Sequence, residues 1–294
     1  MARRRADNGD TRERRAAARP ARGRSPDNLQ ITAEEIEDIE ERSSPRTPVI
    51  YEIVRRLGEE EMARPMTSLW WSGLAAGLSI SFSLLTEAIL QTHLPDAPWR
   101  PLVVSFGYCV GFIMVVLSRQ QLFTESTITV VLPVMADFTP RNLTRMGRLW
   151  AIVLGANFVG TLVATLFCSF APVLSPELKS AMLAISRDLL VHGWVEIMFK
   201  GITAGFLIAA MVWLLPSADT AQIYVVTLMT YLIAVGGFMH IVAGSMEAFM
   251  LAVNGESGWI AITLHFILPA LAGNVFGGTA LFALLSYAQV MKEI

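Results

Sequence analysis

A chain of 294 residues that is 53% hydrophobic and only 16% charged has too few charges to clothe a soluble globule, and reads as a multi-spanning membrane protein with a polar N-terminal extension. Its formal net charge of −2 averages a basic tail with an acidic segment and points to no class of partner. Cys109 and Cys168 both lie in apolar runs and are read as packing residues, so neither a disulfide nor a metal site is inferred.

Residues 1–47 form a charged tail. Arginines at 3–5, 12, 14, 15, 19, 22 and 24 have no apolar core behind them, which excludes a secretory signal. The composition predicts disorder, and the positive-inside rule predicts a tail retained in the cytoplasm in preference to a nucleic-acid-binding arm. Thr32 with Glu35 resembles a capping box opening an acidic helix from Glu34 to Glu41, which Pro45 and Pro48 end. Residues 48–65 then set Ile50, Ile53, Val54 and Leu57 against Arg55, Arg56 and Glu59 to Glu61. That spacing predicts an amphipathic interfacial helix, on the membrane surface or on a neighbouring subunit.

Apolar segments follow at about 66–90, 102–136, 143–170, 190–214, 222–253 and 259–288, giving a six-span domain over 66–290. A span needs about 20 residues, and the second and fifth segments exceed that. Ser118 to Glu125 interrupts the second and Gly236-Gly237 the fifth, so both read as broken helices. The basic loop from Arg141 to Arg148 falls on the side of the tail, while 91–100, 172–188 and 254–258 fall outside as loops. Both termini are therefore expected in the cytoplasm, with the chain in a bacterial inner membrane.

An internal repeat organises the spans. Ser72-Gly73-Leu74-Ala75-Ala76-Gly77 echoes Lys200-Gly201-Ile202-Thr203-Ala204-Gly205, and Asn157-Phe158-Val159-Gly160 echoes Asn274-Val275-Phe276-Gly277. Three spans repeated across an odd number of crossings are inverted, which puts a solute site near the midplane at the paired breaks. The fold class is all-α, two inverted three-helix repeats with helices two and five broken.

His240, beside the second break, is the leading candidate for a pore-facing residue. It would donate a hydrogen bond or a proton to a passing anion, or else stay neutral and satisfy a loose carbonyl. Lys200 lies inside the fourth segment one turn after Glu196, and either draws anions into a vestibule or is neutralised by that glutamate. Thr124 offers a hydroxyl at the first break, to a solute or to the loop. Asn157 and Asn274 are placed to clamp the breaks. Leu78, Phe82, Phe106, Phe112, Phe123, Phe206 and Phe238 are candidates for constrictions. His93 and His192 belong to outer loops, His265 reads as interhelical glue, and Glu87 and Glu247 are helix-end charges or partners. No nucleotide loop, zinc motif or catalytic triad is recognisable, so neither enzyme nor cofactor is expected.

Leu122-Phe123-Thr124, Phe199-Lys200-Gly201-Ile202 with Met211-Val212-Trp213, Gly237-Phe238-Met239-His240, and the run from Leu268 to Gly278 together resemble the formate/nitrite transporter family from about Val49 to Tyr287. The resemblance implies an aquaporin-like protomer, a homopentamer with one pore per subunit, and transport of small monovalent anions such as formate, nitrite or hydrosulfide. It makes Thr124 the loop threonine, His240 the central histidine and Lys200 the vestibule lysine. Where the family usually carries acids, this chain has Gln121 and Met239, which marks a divergent branch. Two other readings stay open: a pore for neutral solutes (water, glycerol or an undissociated acid), and a non-transporting membrane platform for the N-terminal region.

Overall fold

The computed structural model describes Thr32 and residues 45–293. The Arg-rich stretch and the helix expected from Glu34 to Glu41 lie outside the described residues. Everything below belongs to one compact unit, Pro45–Ile294, and its regular elements are all helical among the described residues.

The helices are α1 (Thr47–Ala63), α2 (Met66–His93), α3 (Arg100–Leu117), α4 (Ser126–Ala136) and α5 (Pro140–Phe170). They continue as α6 (Pro176–Ser186), α7 (Trp194–Ala218), α8 (Gln222–Val235), α9 (Ile241–Val253) and α10 (Trp259–Val290). α7 and α8 form a 42-residue apolar helical stretch, which if straight would run about 63 Å. A Cβ on Gly237 would nevertheless sit 4.0 Å from Lys200 Nζ, so the chain folds back. It does so at Asp219–Ala221, where Asp219 takes φ 35°. The crossing segments are thus α2, α3 with α4, α5, α7, α8 with α9, and α10.

The two halves match in atomic detail. α3 ends with Arg119 in the left-handed region at φ 52°, and α8 ends with Gly237 at φ 61°. Gln120 N–H returns to Val115 O at 3.0 Å, and Phe238 N–H returns to Ile233 O at 2.9 Å. Both are Schellman closures, in which the left-handed residue lets the next N–H satisfy an orphan carbonyl. The chain then runs extended before starting a short second helix. Gly237 adopts this conformation freely, whereas for an arginine it costs about 1–2 kcal/mol.

Small residues let the helices flanking each break cross in contact. A Cβ on Gly77 would come 2.2 Å from Asn157 O, and one on Gly205 2.3 Å from Asn274 O. Such close approach is how packing holds helices together where no hydrophobic force does.

Two outer elements add contacts that the sequence does not show. α1 docks on the span bundle. It buries Tyr51, Val54, Gly58 and Met62 against α4, α7 and α10 of its own protomer, leaving Ile53 and Leu57 exposed. The face is chosen by Gly58, where a Cβ would meet Thr129 O at 1.8 Å. The stretch 172–188, read as a loop, contains α6, which covers the far ends of α2 and α9 through Ala181 and Met182. Ser175 caps it by accepting from Leu178 N–H at 3.2 Å, with Pro176 in the first turn.

Candidate functional site

The site is built where the broken segments meet. Asn157 donates through Nδ2 to Gly73 O at 2.8 Å and Gln121 O at 2.9 Å, and accepts from Phe123 N–H at 2.9 Å. Asn274 repeats this, donating to Gly201 O at 2.9 Å and Met239 O at 2.8 Å and accepting from Ile241 N–H at 2.8 Å. Each amide replaces the hydrogen bonds that an unwound backbone has lost in a place without water. Leu122 and His240 are therefore the equivalent residues at the two breaks, each held between a bonded carbonyl and a bonded N–H.

His240 caps α9, with Ala243 N–H donating to its Nδ1 at 3.1 Å. That bond occupies the Nδ1 lone pair, so the ring proton of the neutral imidazole sits on Nε2. Nε2 lies 2.7 Å from Thr124 Oγ1. The hydroxyl accepts from the ring, which leaves its own proton to donate. The geometry is a series of two donors, imidazole to hydroxyl to whatever lies next. Phe112 sets its ring edgewise to the imidazole at 4.9 Å between centroids. Thr124 is 0% and His240 1% exposed.

A cavity of about 110 Å³ opens from the α6 end and reaches His240. Its polar lining comes from Glu87 on α2, Tyr108 on α3, Asp188 after α6, and Glu247 on α9, with Phe238 among the apolar groups. Beyond the imidazole, Phe112, Leu122 and Phe123 are buried.

Of the residues singled out in the sequence, His240 and Thr124 are brought into contact, with Asn157 and Asn274 holding the breaks on either side. Phe238 lines the cavity. Lys200 does not: its Nζ lies 3.0 Å from His192 Nε2 and 3.3 Å from Glu196 Oε1. Phe82 and Phe206 are exposed and line no part of the cavity, Phe206 packing edgewise on Phe282. Leu78 is half-buried, and Phe123 is buried edgewise against Trp150. Tyr108 and Asp188 were not anticipated, because the cavity draws one residue from each of several distant segments.

At the α1 end, Glu61 reaches the first break. It accepts from Thr129 Oγ1 at 2.6 Å and from Gln121 Nε2 at 3.2 Å. Burial pushes its carboxyl above the usual range, against the pull of those two donors.

Paired broken helices, related by an inverted repeat and meeting at a buried hydrogen-bonding pair, are the architecture of a membrane transport protein. The chain belongs to the formate/nitrite transporter family, whose profile matches residues 48–288. It is 42% identical over 274 residues to the inner membrane protein YfdC of Escherichia coli K12, covering 91% of this chain and 88% of that one. It is 30% identical over 213 residues to the formate channel FocA of Haemophilus influenzae, covering 70% of each. Among solved structures it resembles a pentameric formate channel with formate bound, with a TM-score of 0.66 at 19% identity, covering 77% of this chain and 98% of that one.

Proposed function

We propose that the chain is a channel in a bacterial inner membrane, assembled as a homopentamer with one pore per protomer and with both termini cytoplasmic. It carries small monovalent anions of weak acids, of the formate, nitrite or hydrosulfide kind. The observation that carries this reading is the Thr124–His240 pair at the meeting of the two breaks. A hydroxyl that accepts from a fixed imidazole is a stronger donor toward an acceptor oxygen or sulfur, because hydrogen bonds in series polarise one another. Because Ala243 N–H holds Nδ1, the geometry favours the imidazole as a hydrogen-bond donor acting through Thr124 over the imidazole as a proton carrier.

Lys200, held by Glu196 and His192 beside Gly237 at the cavity wall and not itself part of the lining, is given no part in binding. Family membership and the names of the relatives support the substrate class.

The test is flux from the purified protein in proteoliposomes, using formate, nitrite, hydrosulfide, acetate and glycerol. Uptake of the small weak acids without glycerol is the expected result. Glycerol and water flux alone would make the chain a neutral-solute pore. No flux at all would make it a membrane platform.

A further inference from the structure

The cavity leading to His240 has the wrong lining for an anion taken in bare. Its ionisable side chains are Glu87, Tyr108, Asp188, His240 and Glu247, with no lysine or arginine among them. Asp188 is met by His192 at 3.4 Å. Glu87 and Glu247 have no such partner: among the described residues neither makes a hydrogen bond or an ion pair. Glu87 is 9% exposed and Glu247 half-buried, and both face the same cavity. The Tyr108 hydroxyl is likewise unpartnered, in a residue only 7% exposed. Polar side chains that line a cavity with unused bonding capacity are placed to take a ligand there. The nearest ammonium, Lys200 beside Gly237, is held by Glu196 and His192 outside the lining. Two carboxylates in so small a space with no cation paired to them are costly to keep both charged, and share a proton more readily than they stay bare.

We propose that Glu87 and Glu247, with Tyr108, form a proton-donating antechamber that converts an entering weak-acid anion to its neutral acid before it reaches His240 and Thr124. This rests on the weak-acid reading of the channel and deepens it. A carboxyl O–H bond breaks as the anion's new O–H or S–H bond forms, so a carboxylic acid and an anion become a carboxylate and a neutral acid. The carboxylate then recovers a proton from water at the α6 end. One proton accompanies each anion and no net charge crosses. The imidazole, held as a hydrogen-bond donor, has no need to surrender its proton. Tyr108 steadies whichever carboxyl is charged by donating to it.

The experiment compares wild type with Glu87→Gln, Glu247→Gln and the double variant in proteoliposomes, at about pH 5 and about pH 8, with nitrite or formate as solute. A positioned proton donor contributes at least about a hundredfold to a reaction limited by proton transfer. We expect nitrite uptake by the double variant to fall by about tenfold or more at the higher pH and by under about threefold at the lower, where bulk water supplies the neutral acid. Glu247→Asp, which keeps a carboxyl, should retain most of the flux. If the carboxyls only repel anions, removing them raises uptake at the higher pH, and that result overturns the proposal. So does an unchanged pH profile.

A second arm uses wild type alone. Nitrate is similar in size to nitrite but is the anion of a strong acid, and it should be excluded. Nitrate uptake at a rate near that of nitrite overturns the antechamber while leaving the channel reading intact. Failure of wild type to carry any weak acid defeats the channel reading itself. A Gln variant that no longer elutes as the parent oligomer leaves the decision to the nitrate arm.

Discussion

Replacing Asn274 by alanine tests whether side-chain amides hold the interrupted spans. The variant loses the donors to Gly201 O and Met239 O and the acceptor for Ile241 N–H. Gly201 O lies within a helix and keeps a backbone partner. Met239 O and Ile241 N–H are left buried and unpaired, at about 1–3 kcal/mol each. The loss is therefore about 2–6 kcal/mol, with the lower end favoured because unfolded spans in lipid also find partners. For a domain of this size, at about 2 °C per kcal/mol, that corresponds to a fall of roughly 4–12 °C in the midpoint of thermal unfolding. Asn157→Ala removes the same set of bonds at the first break and should lose a similar amount. The assay is thermal unfolding of the detergent-solubilised oligomer, followed by loss of the oligomer peak on size exclusion. A shift of under about 1 °C in both variants would mean that packing at the helix crossings alone holds the breaks, and the clamp argument fails.

Gly205→Val should separate α7 from α10, because the added carbons meet Asn274 backbone at 2.3 Å; overpacking of this kind costs about 1–3 kcal/mol, visible in the same melt, and an unchanged midpoint would count against the close crossing. Glu61 predicts a pH response of α1. Burial raises its carboxyl above the ordinary 4.5, so its contribution to docking is fully present below that value and is lost as pH rises through the raised one. Amide exchange in α1, corrected for intrinsic rates, should be slower at about pH 5 than at about pH 8, and Glu61→Gln should flatten the difference; an equal difference in the variant contradicts this. Lys200→Met, with Glu196→Gln to keep the balance of charge, should leave weak-acid uptake within about twofold, since the ammonium lies outside the cavity; a tenfold loss would return Lys200 to the pathway.

Much of the fold is written in the sequence in physically readable form. The Gly236-Gly237 pair announces a break because glycine is the residue that reaches a left-handed closure without strain. The small residues around Gly77 and Gly205, with Asn157 and Asn274, repeat in order, since close crossing and clamping admit few residue types. Arg119 escapes this logic. It performs the same closure as Gly237, but nothing about an arginine signals a left-handed backbone, so the first break was legible only as a polar patch. α6 was missed although Ser175-Pro176 is a helix start, because a loop between spans offered no longer apolar periodicity to attach it to. The contact face of α1 was legible in part. Of the apolar set Ile50, Ile53, Val54 and Leu57, Val54 is buried and Ile50 packs beside it, while Ile53 and Leu57 stay exposed; Gly58 allows the backbone of α4 to approach, and contact of that kind leaves no trace in apolar periodicity. The cavity lining was not legible as a group, because Glu87, Tyr108, Asp188 and Glu247 come from separate segments that only tertiary structure brings together.

The claim on which the account turns is that Thr124, backed by the imidazole of His240, donates to the solute at the midpoint of the path. Uptake of formate or nitrite by Thr124→Val and Thr124→Ser in proteoliposomes tests it most directly. Valine keeps the shape and removes the donor, so flux should fall by roughly tenfold to a hundredfold, the worth of a hydrogen bond of about 1.5–3 kcal/mol to a charged or polarised partner. Serine keeps the hydroxyl and should hold flux within about threefold of wild type. Wild-type flux through the valine variant, properly assembled, would contradict the claim.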